Sequence, residues 1–344
     1  MSTWLDALSL IEPLEDADFD ADLVAQMQAH AARAQPRPVR FSTPTFKEYD
    51  SQEIKGCGKN AFPAFSITGG ACALDCDHCR AKILEPMIPA TKPEDLDRKV
   101  RDLVMLQGLQ GFLLSGGSNR RNEIRYDKFY PVIEGLKRDF PEMRIAIHTA
   151  LTDDAGARRM EAAGVDTAML DVIGAQETIE QVYHLDRPVA DFEKTLEALS
   201  ATAMEISPHI VIGLHYGRLL GEEHALEMVA RYPTKALVLV VVMPFYASPG
   251  TFATVPADDV GRLFLRARDV LPDRDLLLGC ARPAGMHKRI TDAYAVMAGL
   301  DGIAFPAEGA VAVADLVGRE WDQAHACCSI KLGEGRSLRA GCAA

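Results

Sequence analysis

From residue 62 onward, short uninterrupted apolar runs alternate with longer amphipathic stretches. The apolar runs predict strands at Phe62–Thr68, Gly111–Ser115, Arg144–His148, Thr167–Asp171, Ile206–Gly213, Leu237–Met243, Leu276–Cys280 and Gly302–Phe305. They are rich in Val, Ile and Leu and do not alternate with polar residues, the pattern of parallel strands buried on both faces. The amphipathic stretches predict helices at Pro93–Gln107, Tyr126–Asp139, Asp153–Ala163, Val189–Thr202, Leu219–Ala230, Ala257–Val270, Met286–Ala298 and Ala310–Gly318. Several begin after Asp, Ser, Thr or Pro, which are helix-start signals. Strict strand–helix alternation predicts an α/β fold, a (βα)8 barrel, with an open doubly wound sheet as the alternative.

Three segments follow from this rhythm. Residues 1–61 form an N-terminal extension with helical patterns at Leu5–Glu12 and Asp18–Ala34 and an extended run from Arg40 to Asn60. Residues 62–318 form the barrel, and residues 319–344 form a C-terminal tail. Both extensions are expected to cap the open end of the barrel.

Composition narrows the class. The chain has 344 residues, is 48% hydrophobic and 25% charged, and has no repeat or low-complexity block, as expected of a globular protein with a large core. Its net charge of −12 disfavours nucleic acid and anionic membrane surfaces as partners. An acidic partner protein would need a local basic patch. No apolar run approaches the roughly 18–20 residues of a membrane span, and the acidic N-terminus does not read as a signal peptide. A cytoplasmic protein is expected. Its 8 cysteines then point to metal ligation rather than to disulfides.

Three of those cysteines stand together in Ser66-Ile-Thr-Gly-Gly-Ala-Cys72-Ala-Leu-Asp-Cys76-Asp-His78-Cys79, in the loop after the first barrel strand. Three thiolates on one loop can hold three irons of a cubane cluster and leave the fourth iron open to a ligand. A structural zinc site is the competing reading. Zinc sites more often use two paired knuckles, and only one such knuckle is present. The spacing, with a planar residue at His78, resembles the signature of the radical S-adenosylmethionine (SAM) enzymes. That resemblance implies a [4Fe–4S] cluster on Cys72, Cys76 and Cys79, with SAM on the open iron and His78 near the adenine.

In a barrel, function sits at the C-terminal ends of the strands. The second strand ends in Ser115-Gly116-Gly117, where glycines let backbone approach a ligand; it resembles the family loop that binds the SAM amino group. His148 and Asp171 terminate the next two strands and are candidates for the SAM or substrate pocket. The fifth strand passes through His209 toward His215-Tyr216-Gly217. In Tyr183-His184-Leu185-Asp186-Arg187, Arg187 is a candidate for the SAM carboxylate. Phe245 and Tyr246, after the sixth strand, are candidate pocket walls.

Of the other cysteines, Cys280 ends the seventh strand, Cys57 lies between glycines, and Cys327 and Cys328 lie in the tail. These form a candidate second, auxiliary cluster, with Ser329 as an alternative ligand; Cys342 is a bystander. The Cys72–Cys79 motif, the Gly279-Cys280-Ala-Arg-Pro283 stretch and the Cys327-Cys-Ser329 tail together resemble one subunit of the two-component lipoyl synthases, within the biotin-synthase-like radical SAM proteins. The resemblance implies sulfur insertion into an octanoyl chain on a lipoyl carrier protein, with a paralogous partner subunit and a flavodoxin or ferredoxin as electron donor. Single-chain lipoyl synthases carry a compact N-terminal cysteine motif for the auxiliary cluster, and this chain has only Cys57 there. A single-cluster radical SAM isomerase or cyclase, or sulfur insertion into a small molecule, is the alternative.

Overall fold

The computed structural model describes residues 3–44, 49, 51–54, 62–243, 247–327, 329 and 330. Its strands form one parallel sheet. In chain order they are β1 (Val39–Ser42), β2 (Ala64–Ser66), β3 (Ile88–Pro89), β4 (Gly111–Ser115), β5 (Arg144–His148), β6 (Thr167–Asp171), β7 (Glu205–Ile212), β8 (Ala236–Val241), β9 (Asp275–Leu278), β10 (Gly302–Ala304) and β11 (Trp321–Ala324). Their order in the sheet is β11-β1-β10-β9-β8-β7-β6-β5-β4-β2-β3. All eight expected strands are present, each shifted by at most a few residues. The closed eight-stranded barrel is corrected: among the described residues the sheet has 11 strands, and its edge strands β11 and β3 do not pair.

The sheet nevertheless curls. In pairing order β11 lies nine strand spacings from β2, about 43 Å if the sheet were flat. Six residues after Ala324, a reach of about 20 Å at most, Ile330 joins one apolar cluster with Phe62, just before β2, and with Ala64, Leu113, Ala146 and Met169 of β2 and β4–β6. Only a sheet bent toward closure allows this contact. The result is a half-barrel whose gap is approached by the tail rather than bridged by backbone hydrogen bonds.

The helices cover the convex face. They include α3 (Pro93–Gln107), α4 (Tyr130–Asp139), α5 (Asp154–Ala162), α6 (Gln176–Gln181), α7 (Val189–Ser200), α8 (Glu222–Ala230), α9 (Ala257–Val270), α10 (Met286–Met297) and α11 (Ala310–Leu316). Proline starts α3, and left-handed Gly108 ends it by donating its N–H to Leu103 and Val104. Strand alternation divides the apolar residues between two faces. Phe112, Leu114, Ile145, Ile147, Leu170, Ile210, Leu239 and Leu278 join the large core under the helices. Leu113, Ala146 and Met169, and separately Val238 and Leu277, face the concave side. No described helix is long and apolar enough to cross a membrane.

The N-terminal helices, α1 (Trp4–Leu8) and α2 (Ala21–Ala31), bury Leu8, Leu23, Val24 and Met27 in the convex core. Asp20 N donates 2.9 Å to Tyr294 Oη, which donates 2.7 Å to Asp258, so the second helix is tied to α10 and α9. These helices lie in the outer layer and not over the mouth. Residues beyond them do reach a strand end: Tyr49 packs on Phe305, their ring centres 5.5 Å apart. Val39–Ser42 and Trp321–Ala324 add strands to the sheet from both extensions, held by parallel pairing of β1 to β10 and β11.

Candidate active site at the C-terminal strand ends

The cysteine loop follows β2. Cys76 is buried, while Cys72 and Cys79 are partly exposed. Burial pushes the Cys76 thiol strongly up, and its neighbours Cys72 and Cys79 push it further. Burial also raises Cys79. Without a cation these groups are neutral thiols, and cluster binding has to deprotonate them. Among the described residues no three His, Cys, Asp or Glu side chains already stand in metal-ligating geometry. The three thiols are electrostatic neighbours that metal binding would draw together.

The Ser115-Gly116-Gly117 turn lies directly against this loop. A Cβ on Gly117 would stand 2.0 Å from Ala71 O and 2.6 Å from Cys72 Cα. Only glycine permits that approach. Gly117 N donates 2.7 Å to Thr68 Oγ1, and Ala73 N donates 2.8 Å to Ser118 O. Thus the expected SAM turn and the expected cluster loop are one bonded unit.

His78 packs its ring on Tyr183, with centroids 5.0 Å apart. Burial lowers the His78 pKa to about 4, so the ring is neutral, and its buried Nδ1 has no partner among the described residues. A neutral stacked ring with an unspent polar atom suits a heteroaromatic ligand edge. Tyr183 senses Asp171 and all three thiols, which places it beside the same centre. With three thiols, a glycine cradle and a stacked ring pair converging, the residues fit a cluster and SAM.

Asp171 lies at the end of β6, with its carboxylate 3.8 Å from His148 Nε2 of β5. His148 and His209 approach with ring centroids 5.4 Å apart. Burial, then the neighbouring His148, lower the His209 pKa to about 4. Its Nδ1 faces Ser207 O at 3.2 Å, so Nε2 is the acceptor. The β5–β7 ends therefore offer a polar wall of two imidazoles and a carboxylate. His209 was only passed through in the sequence, and its register opposite Asp171 brings it in.

Arg187 goes elsewhere. It pairs with Asp191 at 3.1 Å and Glu123 at 3.6 Å, and lines a cleft of about 800 Å³ beside α5 and α7 that none of the three cysteines touches. Cys280 lies just past β9 and is partly exposed. Its strand end is fixed by buried Arg282, which donates 2.7 Å to Gly279 O and grips Asp292. Cys327 and Cys72 pack against the same concave-face cluster. Ser329 is buried, and its Oγ has no partner among the described residues. Cys57, Cys328, Cys342, Phe245 and Tyr246 lie outside the described residues.

Sequence reasoning missed Asp77 as a structural node. Its carboxylate accepts from His184 Nε2 at 3.1 Å and from Tyr216 Oη at 3.0 Å. Burial alone would raise its pKa, but these two hydrogen bonds together with nearby Arg80 hold it below the usual carboxylate value. Its position between two cysteines was the available signal.

Residues 66–231 match the family model described as the Radical SAM superfamily. The matched segment, which holds all three motif cysteines, is similar to a radical SAM domain, and the cofactors of that family are a [4Fe–4S] cluster and SAM. Among solved structures, the chain is similar to HydG, a maturase of the [FeFe]-hydrogenase, at 16% identity and a TM-score of 0.59, covering 88% of this chain and 68% of that one. It is also similar to methylornithine synthase (PylB), at 10% identity and a TM-score of 0.54, covering 91% and 93%. HydG from Carboxydothermus hydrogenoformans aligns at 15% identity and a TM-score of 0.54, covering 87% and 70%. These likenesses concern the fold. No curated protein matches the chain by sequence.

Proposed function

We propose that this protein inserts sulfur into an octanoyl chain carried on a lipoyl carrier protein, as one half of a two-component lipoyl synthase. The observation that carries the reading is that Cys327 of the tail and Cys72 of the cysteine loop both pack against one concave-face apolar cluster. Cys280, held on its strand end by the Arg282–Asp292 grip, is the second donor of an auxiliary cluster. Cys57 and Cys328 complete the proposed set.

SAM bound at the open iron supplies, on one-electron reduction, a 5′-deoxyadenosyl radical able to take hydrogen from an unactivated C–H bond. The chain's own residues do the positioning. Cys72, Cys76 and Cys79 would hold the cluster; Gly117 would let the amino-acid end of SAM approach the loop; the His78–Tyr183 pair would face the adenine. Val238 and Leu277 form a further apolar cluster on β8 and β9, of the character a saturated chain needs. Excluding water there protects a reactive carbon centre. A flavodoxin or ferredoxin supplies the electron, and the paralogous subunit performs the other insertion.

A second reading has its own observation. The His148–Asp171–His209 wall suits a polar small molecule, handled by a single-cluster isomerase or cyclase. Iron and sulfide analysis of the anaerobically reconstituted protein separates the two. About eight iron per chain, falling to about four in the Cys72→Ala/Cys76→Ala/Cys79→Ala variant, supports sulfur insertion. About four falling to nearly none removes the sulfur donor and leaves the single-cluster reading.

A further inference from the structure

The cysteine loop is fastened to two other loops through one side chain. The turn from Cys76 to Arg80 closes on its own backbone: Cys79 N and Arg80 N donate to Cys76 O at 3.1 and 2.9 Å. The Asp77 carboxylate is not spent on that turn. Oδ1 accepts from His184 Nε2 at 3.1 Å, and Oδ2 accepts from Tyr216 Oη at 3.0 Å. Asp77 N donates 3.0 Å to Val182 O, and Tyr216 Oη also lies 2.8 Å from Gln181 O. The partners come from the segment after α6 and from the loop after β7.

Both partners are presented by bent backbone. His184 has φ 52° and Tyr216 has φ 55°, left-handed values that cost a non-glycine residue about 1 kcal/mol or more. Gly217 follows Tyr216 so closely under Ala253 that an added Cβ would lie 2.1 Å from its carbonyl oxygen. The Tyr216 ring is wedged against Phe252, with centroids 5.1 Å apart. Two unfavourable conformations converging on one carboxylate are consistent with that carboxylate having a use beyond the fold of its own loop.

We propose that Asp77 is a positioning residue that fixes the cluster loop relative to the His78–Tyr183 ring pair. His184 is the neighbour of Tyr183, and Asp77 the neighbour of His78. The strap therefore joins the two segments whose rings stack, and sets where the open iron stands relative to the adenine. Cluster assembly needs only the cysteines; SAM alignment needs the strap. This rests on the SAM-cleaving reading of the domain and not on the identity of the substrate.

The test uses the anaerobically reconstituted full chain with Asp77→Ala and Tyr216→Phe. Iron content and the melting temperature of the apoprotein should stay near wild type. The SAM dissociation constant should rise about tenfold in Asp77→Ala and about threefold in Tyr216→Phe, the scale of losing hydrogen bonds to a charged group. The electron paramagnetic resonance spectrum of the reduced cluster should lose the SAM-induced change in g-values that wild type shows. SAM binding within twofold of wild type with an unchanged spectrum overturns the proposal. Parallel loss of iron and apoprotein stability in both variants also overturns it, because Asp77 would then be structural. A wild type that binds no SAM and forms no 5′-deoxyadenosine rejects the parent reading instead.

Discussion

Arg282 and Asp292 form a two-pronged ion pair with both side chains fully buried, Nε to Oδ1 at 2.6 Å and Nη2 to Oδ2 at 2.9 Å. Arg282 also donates to Gly279 O at 2.7 Å and Phe305 O at 3.0 Å, while Asp292 also accepts from Ala307 N at 2.6 Å. One pair thus gathers the C-terminal ends of β9 and β10 onto α10. It decides where Cys280 stands.

Breaking this pair from one side should be costly, since it strands a buried charge. Asp292→Ala is expected to destabilise the protein by about 3–5 kcal/mol in urea unfolding at pH 7, whereas Arg282→Met/Asp292→Leu should cost much less. The pH dependence has a definite sign. Burial alone would raise the Asp292 pKa, but Arg282, Lys288 and the Ala307 N–H hold it below 3.8. Its contribution is therefore complete above the unfolded-state pKa and is lost as pH falls through the lower folded value. The stability gap between wild type and Asp292→Asn should be constant from pH 7 to 5 and shrink below about pH 4. A gap that widens on acidification would contradict the pairing.

Gly117 should not tolerate a methyl group. Its added Cβ would overlap Ala71 O and the Cys72 backbone, neither of which is the movable end of a side chain. Gly117→Ala should lower apoprotein stability by about 1–3 kcal/mol and reduce iron incorporation. At Gly70 on the same loop, an added Cβ meets nothing within 4 Å. Gly70→Ala should match wild type in both measurements. Equal behaviour of the two variants would show that the two loops are not in contact.

The tail contact on the concave face is measurable through Ile330, which is 4% exposed in a cluster with Leu113, Ala146 and Met169. Ile330→Ala should cost about 2–4 kcal/mol. Loss of concave-face packing should also raise binding of a hydrophobic dye. A cost below about 0.5 kcal/mol, the scale of a surface substitution, would mean that the tail does not lie there.

The sequence by itself determined the strand–helix order and the cluster loop. Continuous apolar runs such as Arg144–His148 can only be buried strands, and the spacing of Cys72, Cys76 and Cys79 is local chemistry needing no distant partner. It also marked strand-end residues, because His148 and Asp171 interrupt apolar runs at their C-terminal limit. It did not determine closure. The sheet edges depend on pairing between β1 and β11, segments 282 residues apart when counted from Arg40 to Asp322, the partners of one register pair, and such pairing leaves no local periodicity. Nor could it assign faces: a strand apolar on both sides hides that Leu113 faces inward and Leu114 outward, a choice made by the curl of the whole sheet. Arg187 reads in the sequence as a ligand for an anion, and the fold sets it against the carboxylates of Asp191 and Glu123. The hydrogen-bond donors to the Asp77 carboxylate, His184 and Tyr216, lie outside its own loop, and only the folding of three loops onto one another brings them to it. Closure, face assignment and the Asp77 strap belong to tertiary structure because each rests on contacts whose partners are far apart in the chain.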